Sequence, residues 1–216
     1  MTRSKEHSHR PPDRRRERTR EALLSAGRSL FASRDVDSVS VDEIVAAAEV
    51  AKGSFYNHFA DKDVFAREIA AAVRRQVEQA VLKANEGIED AAEHIARALC
   101  VFVRFALEYP DSARVLWKLN SGATMVDAPI NRGLSDVVQQ GIRAERFRHV
   151  ELEDGVLLVM GIIVIVLRHV LEERLVTPRR AVAASMAAGL LRALGITTVQ
   201  ASRLAEAAAA DLLSGI

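Results

Sequence analysis

Apolar side chains recur at steps of four along one stretch of this chain, as Phe65, Ile69, Val73, Val77 and Val81, with Ala72 and Ala80 filling the same stripe. The repeat matches one face of an α-helix, which must bury that face against other elements. Asp61 can cap this helix, which should run to about residue 84, and Gly87 is a plausible stop. Similar spacing appears earlier in Leu23, Leu24, Gly27, Leu30 and Phe31, whereas the alternation of Val, Thr and aromatic residues typical of strands is nearly absent. Only five prolines interrupt 216 residues, and 49% of the chain is hydrophobic. The expected fold class is all-α, with a sizeable core and no sheet; disorder over most of the length is excluded.

Local signals divide the chain further. Pro11 and Pro12 mark residues 1–13 as a flexible arm, and a first helix follows as far as Ser33. Ser40, Val41, Asp42 and Glu43 form a capping box, which opens a short helix over 41–47. After a break at Ala48, Glu49 and Val50, a second short helix carries Lys52 to Phe59. Further helices are expected over 91–108, 111–120, 127–144, 151–173, 178–194 and 199–213. The expected organisation is an arm (1–13), a small helical domain (14–60) and a larger helical domain (61–216).

Charge is uneven along the chain. Its first twenty residues hold eight basic side chains against three acidic ones, a net +5 that leaves −4 for the remainder. Such an arm suits a polyanionic partner, since neutralising phosphates releases condensed counterions, although a solvated tail has the same composition. A single cysteine, Cys100, excludes an intramolecular disulfide and a thiolate cluster. With no cleavable signal at the start, the chain reads as cytoplasmic. The apolar run from Val156 to Leu167 is interrupted by Gly161 and ends at Arg168 and His169, short of the ~20 residues of a membrane span, so no membrane partner is expected.

Two short helices joined by a three-residue turn and preceded by a longer helix make a helix-turn-helix arrangement. Ile44, Val45, Ala48, Val50, Phe55 and Phe59 can close a small core against Leu23, Gly27, Leu30 and Phe31. Lys52, Ser54, Tyr56, Asn57 and His58 then remain outside, and Gly53 removes a side chain where a helix approaches a groove wall. Asn57 suits bidentate contact with an adenine edge.

The segments Thr19-Arg20-Glu21-Ala22-Leu23-Leu24, Leu30-Phe31-Ala32, Ser40-Val41-Asp42-Glu43-Ile44 and Lys52-Gly53-Ser54-Phe55-Tyr56-Asn57-His58-Phe59, followed by Asp61-Lys62, together resemble the N-terminal signature of the tetracycline-repressor (TetR) family. The resemblance implies that Lys52, Gly53 and Ser54 open the recognition helix against base edges and phosphates. It further implies that Tyr56 and His58 hydrogen-bond phosphates, and that Ser40 and Lys62 touch phosphate at helix N-termini. Two positions depart from the family pattern. Glu49 stands where the family usually has glycine and must turn left-handed or reshape the turn; Ala51 replaces a capping Ser or Thr. Weaker DNA affinity, or greater dependence on the arm, is the expectation.

Beyond the motif, the segment from Gly155 to Leu171 is apolar on nearly every face and requires burial on more than one side. Val182, Met186, Leu190 and Leu194, beside Ala183, Ala184, Ala187, Ala188 and Gly189, permit close helix approach. A four-helix interface between two copies fits both, as does a thick internal core. From the resemblance, an effector pocket is expected among the C-terminal helices, with Leu99, Phe102, Trp117, Met125 and Met160 as apolar lining. His94, Cys100, His169 and Glu173 do not amount to a metal site, and no cofactor is expected. No nucleophile with a placed base supports the rival reading of a small helical enzyme. The expected partners are duplex operator DNA, a small apolar or amphipathic effector and a second copy of the chain, in the service of repression. A helical interaction protein with a degenerate DNA-binding head is the remaining alternative.

Overall fold

The computed structural model of the chain describes residues 14–119, 131–172 and 177–215. Among these residues every regular element is helical. The chain divides into two compact units between Ala66 and Arg67.

The N-terminal unit contains α1 (Arg14–Ser33), a 3-10 turn (Val36–Ser38), α2 (Val41–Ala47), α3 (Lys52–Tyr56) and the first turn of α4 (Lys62–Ala84). The capping box fixes where α2 starts: Ser40 Oγ accepts from the Glu43 amide at 3.2 Å, while Glu43 Oε2 accepts from the Ser40 amide at 2.8 Å. Asp61 Oδ1 accepts from the Val64 amide at 2.7 Å and caps α4 in the same manner. Leu23, Phe31, Ile44, Phe55 and Phe65 are fully buried. Leu30, Ala48 and Val50, expected in this core, are only half-buried.

Phe65 takes a larger part than its place in a long helical stripe suggested. Its ring meets Phe59 at 4.7 Å, Phe55 at 5.2 Å and Phe31 at 5.9 Å between centroids, each edge-on, the geometry favoured by the aromatic quadrupole. This cluster places the first turn of α4 in the N-terminal unit.

Helix α3 is shorter than expected, ending at Tyr56. The His58 amide bonds to the Phe55 carbonyl three residues back, at 3.0 Å, and the Phe59 amide shares that carbonyl at 2.9 Å. This tightening ends the helix and turns the Phe59 ring into the core.

In the C-terminal unit, the remainder of α4 is followed by α5 (Ala91–Glu108), α6 (Pro110–Leu119), α7 (Arg132–Arg143), α8 (Leu152–Leu171), α9 (Arg179–Ala193) and α10 (Thr198–Leu212). The part of the expected 127–144 helix before residue 131 lies outside the described residues. Helix α5 packs on α6, α7, α8, α9 and α10, so Ile95, Leu99, Val103 and Phe105 are buried. Asp90 caps its start through the Ala92 amide at 2.9 Å and receives a two-pronged bond from Arg146 at 2.9 and 2.8 Å. Chiefly through that arginine, the Asp90 carboxyl is held below the usual aspartate range.

Helix α8 extends beyond the apolar run at both ends, reaching 20 residues, and by length and composition alone it qualifies to cross a membrane. Its Val156, Val159, Ile163, Val166, Leu167 and Val170 are nevertheless buried, and it packs on α5, α6, α7 and α9, as a core helix does. On α9, Ala183, Ala187 and Leu190 are buried within the single chain, where α9 packs on α5, α8 and α10. The apolar side chains left exposed on α8 are Leu157, Leu158 and Ile165.

Candidate nucleic-acid interface and effector cavity

Helix α3 is anchored from below. Phe55, near its C-terminal end, and Phe59, just beyond it, are buried, which leaves Lys52, Gly53, Tyr56 and Asn57 exposed, with Ser54 and His58 half-exposed. A Cβ added at Gly53 would meet no protein atom within 4 Å, so nothing inside the chain demands glycine there. Lys52 Nζ lies 2.8 Å from Asp42 Oδ1, and hydrogen bonding to that carboxylate raises the lysine pKa above its ordinary value. Arg16 reaches from α1 to the Asn57 carbonyl at 3.4 Å, and the Arg20 guanidinium sits 5.5 Å from the Phe59 ring centre. His58 is shifted downward, foremost by burial and then by the charges of Arg16 and Arg20. An anion arriving here would relieve that repulsion.

Ser40 and Lys62, the two helix-terminal positions, already have bonds within the unit. Ser40 Oγ is engaged with Glu43. Lys62 Nζ donates to the Val36 carbonyl at 2.9 Å and the Val39 carbonyl at 3.0 Å, which ties the start of α4 to the 3-10 turn. Its ammonium is not the free cation that a helix-terminal lysine suggests.

Within the C-terminal unit a cavity of about 570 Å³ opens between α4, α5, α7 and α8. Its apolar wall includes Val77, Ile95, Phe102, Leu134, Val159 and Met160, and its polar lining is Arg74, Glu78, His94, Arg132 and Asp136. The volume lies within the range of small-molecule sites.

The family model for bacterial regulatory proteins of the tetR family matches residues 23–69, which span the core of α1 through the start of α4. Those residues, about a fifth of the chain, are similar to the N-terminal segment of that family. Over 80 residues the chain is 34% identical to the HTH-type transcriptional repressor DhaR of Mycobacterium sp. strain GP1, an alignment covering 37% of this chain and 39% of that one. It therefore aligns with about two fifths of that relative's length. A TetR family transcription regulator from Marinobacter aquaeolei VT8 shares the fold at TM-score 0.69 and 21% identity, over 81% of this chain and 95% of the other. RolR, in a structure with the ligand resorcinol, does so at TM-score 0.57 and 24% identity, over 89% and 95% respectively.

Both departures from the TetR pattern have visible structural consequences. Glu49 takes φ +54°, a left-handed conformation that costs a non-glycine residue roughly 1–2 kcal/mol. Ala51 stands at the N-cap of α3 with extended backbone and no side-chain bond. Of the four described residues among the five expected around an effector, Phe102 and Met160 line the cavity. Leu99 is fully buried elsewhere on α5, and Trp117 is 43% exposed with Arg168 5.6 Å from its ring centre. Met125 lies outside the described residues. Sequence reasoning missed the polar lining altogether; Arg74 and Glu78, four apart on α4, were the available signal. His94 enters the cavity, while Cys100 is fully buried, its thiol pushed up to about 12 by that burial. Among the described residues, no three His, Cys, Asp or Glu side chains converge as metal ligands.

Proposed function

We propose that this protein is a homodimeric transcriptional repressor that binds duplex operator DNA through α3 and is released by a small amphipathic effector held in the C-terminal cavity. The reading rests on the polar face of α3, locked by Phe55 and Phe59. Lys52, Gly53 and Ser54 meet base edges and phosphates, Asn57 reads an adenine edge, and Tyr56 and His58 bind phosphate beside Arg16 and Arg20. Ser40 offers phosphate the amide end of α2, and Lys62 acts by holding the turn from which α2 departs. A second copy covers the exposed apolar face of α8 at Leu157, Leu158 and Ile165. That RolR is seen with resorcinol supports a compact organic effector for this chain.

Helix α4 carries the coupling. It lines the cavity with Arg74, Val77, Glu78, Val81 and Leu82, and without a break it contributes Lys62 and Phe65 to the N-terminal unit. A dimer reads half-sites about one helical turn apart, roughly 34–36 Å, so a small shift of α4 disrupts simultaneous contact. Coupling of about 1–3 kcal/mol changes affinity some 5–150-fold, and linkage requires operator to weaken effector binding equally. Calorimetry on a screened ligand, with and without operator duplex, tests this. Unequal affinities support the reading; equal affinities refute induction by that ligand.

A further inference from the structure

The cavity carries an unused polar device. Arg74 and Glu78 face each other one helical turn apart on α4, with Arg74 Nε 3.3 Å from Glu78 Oε1. That separation suits an ion pair, but the alignment is not that of a hydrogen bond, and the buried Arg74 Nε–H has no acceptor among the described residues. A buried donor left unmet is destabilising, and a ligand oxygen can satisfy it. The adjoining walls, Val77 on α4, Ala98 and Phe102 on α5, and Met160 on α8, are apolar.

Formal charges in the lining cancel: Arg74 and Arg132 oppose Glu78 and Asp136. His94 adds none near neutral pH, since burial, and then the charge of Arg97, lowers its pKa. An anion placed here would displace Glu78 or lie unpaired against it, and a cation would meet Arg74 in the same way. Either arrangement brings like charges together beside the partly exposed Arg74–Glu78 pair. A hydroxyl has no such conflict, because its oxygen accepts from the Arg74 guanidinium while its hydrogen goes to the Glu78 carboxylate.

We propose that the cavity selects uncharged effectors carrying a hydroxyl, phenolic or alcoholic, at the Arg74–Glu78 end of an aromatic or branched apolar body. This deepens the reading of the cavity as the effector site and rests on it. The selectivity resides in the pair, not in cavity size, so probes of matched shape that differ only in the charge of the head distinguish it.

Calorimetric titration of the full chain with 4-pentylphenol, 4-pentylbenzoate and 4-pentylbenzylammonium supplies that comparison. The phenol should bind at least about tenfold more tightly than either ion, the equivalent of about 1.4 kcal/mol. Glu78→Gln leaves Arg74 unopposed and should move the preference to the benzoate; Arg74→Gln should move it to the ammonium. The proposal is overturned if either ion matches the phenol on the unmodified chain, if none of the three binds, or if both variants keep the original order. Repeating the phenol titration with operator duplex present separates the two readings. Head-group selectivity with unchanged affinity on DNA upholds the ligand class and removes the induction mechanism.

Discussion

Lys52 Nζ stands 2.8 Å from Asp42 Oδ1, so α2 neutralises the first basic side chain of α3 before any DNA arrives. Phosphate or a base edge must compete with this carboxylate. Asp42→Asn should therefore strengthen duplex binding about two- to fivefold at low salt, the range expected for an exposed ion pair. Fluorescence anisotropy on a labelled duplex reads the change. A loss of affinity would show instead that Asp42 positions Lys52 for contact.

Phe65 is fully buried and touches three other phenyl rings, so its removal opens a cavity that the neighbouring rings cannot fill by small shifts. Phe65→Ala should cost about 3–5 kcal/mol in urea unfolding of the N-terminal unit. A cost below 1 kcal/mol, on the order of a surface substitution, would mean that the aromatic cluster does not hold α3 in place.

Ala51 has φ −71° and ψ 147°, the extended backbone of an N-cap, but no oxygen with which to receive the free amides of α3. Ala51→Ser should stabilise the chain by about 1 kcal/mol, seen as a higher urea midpoint with an unchanged slope. No gain would indicate that water already satisfies those amides equally well.

The carboxyl of Glu43 is pulled down from 4.5 to about 2 by hydrogen bonding, first to Arg34 and then to the amide and hydroxyl of Ser40. A carboxylate with a lowered folded-state pKa stabilises the fold above its unfolded value and loses that contribution as protons are added. Stability should accordingly fall as pH drops from 4.5 toward 2, with Glu43→Gln flattening this part of the profile. Identical acid profiles for the two proteins would count against the capping box as a source of stability.

Helix boundaries were legible wherever a local signal sets them. Ser40 with Glu43 marks α2 and Asp61 marks α4; each cap acts within a few residues and is written in the sequence. The strained turn was legible for the same reason, since Glu49 occupies a position where glycine relieves the backbone. Packing was less so. Periodicity gives the buried face of a helix but not the element that covers it, so α9 fitted both an interface and an internal core, and its packing on α5 and α10 could not be read from its own residues. The C-terminal cavity was the least legible feature. Its lining comes from four helices far apart in sequence, and its charged members, Arg74 and Glu78, look like an ordinary surface pair until the helices around them are known.

Selection from a random duplex pool by the full chain, followed by anisotropy on the enriched sequence across a range of salt, tests the central claim most directly. The account predicts a two-fold-symmetric site with half-sites about one helical turn apart, occupied by two chains, and an affinity that falls steeply as salt rises. Tyr56→Ala and Lys52→Ala should each weaken that binding while leaving the fold intact, because both side chains are exposed on α3. A pool that yields no common sequence, or duplex binding that neither salt nor these substitutions alter, would contradict it.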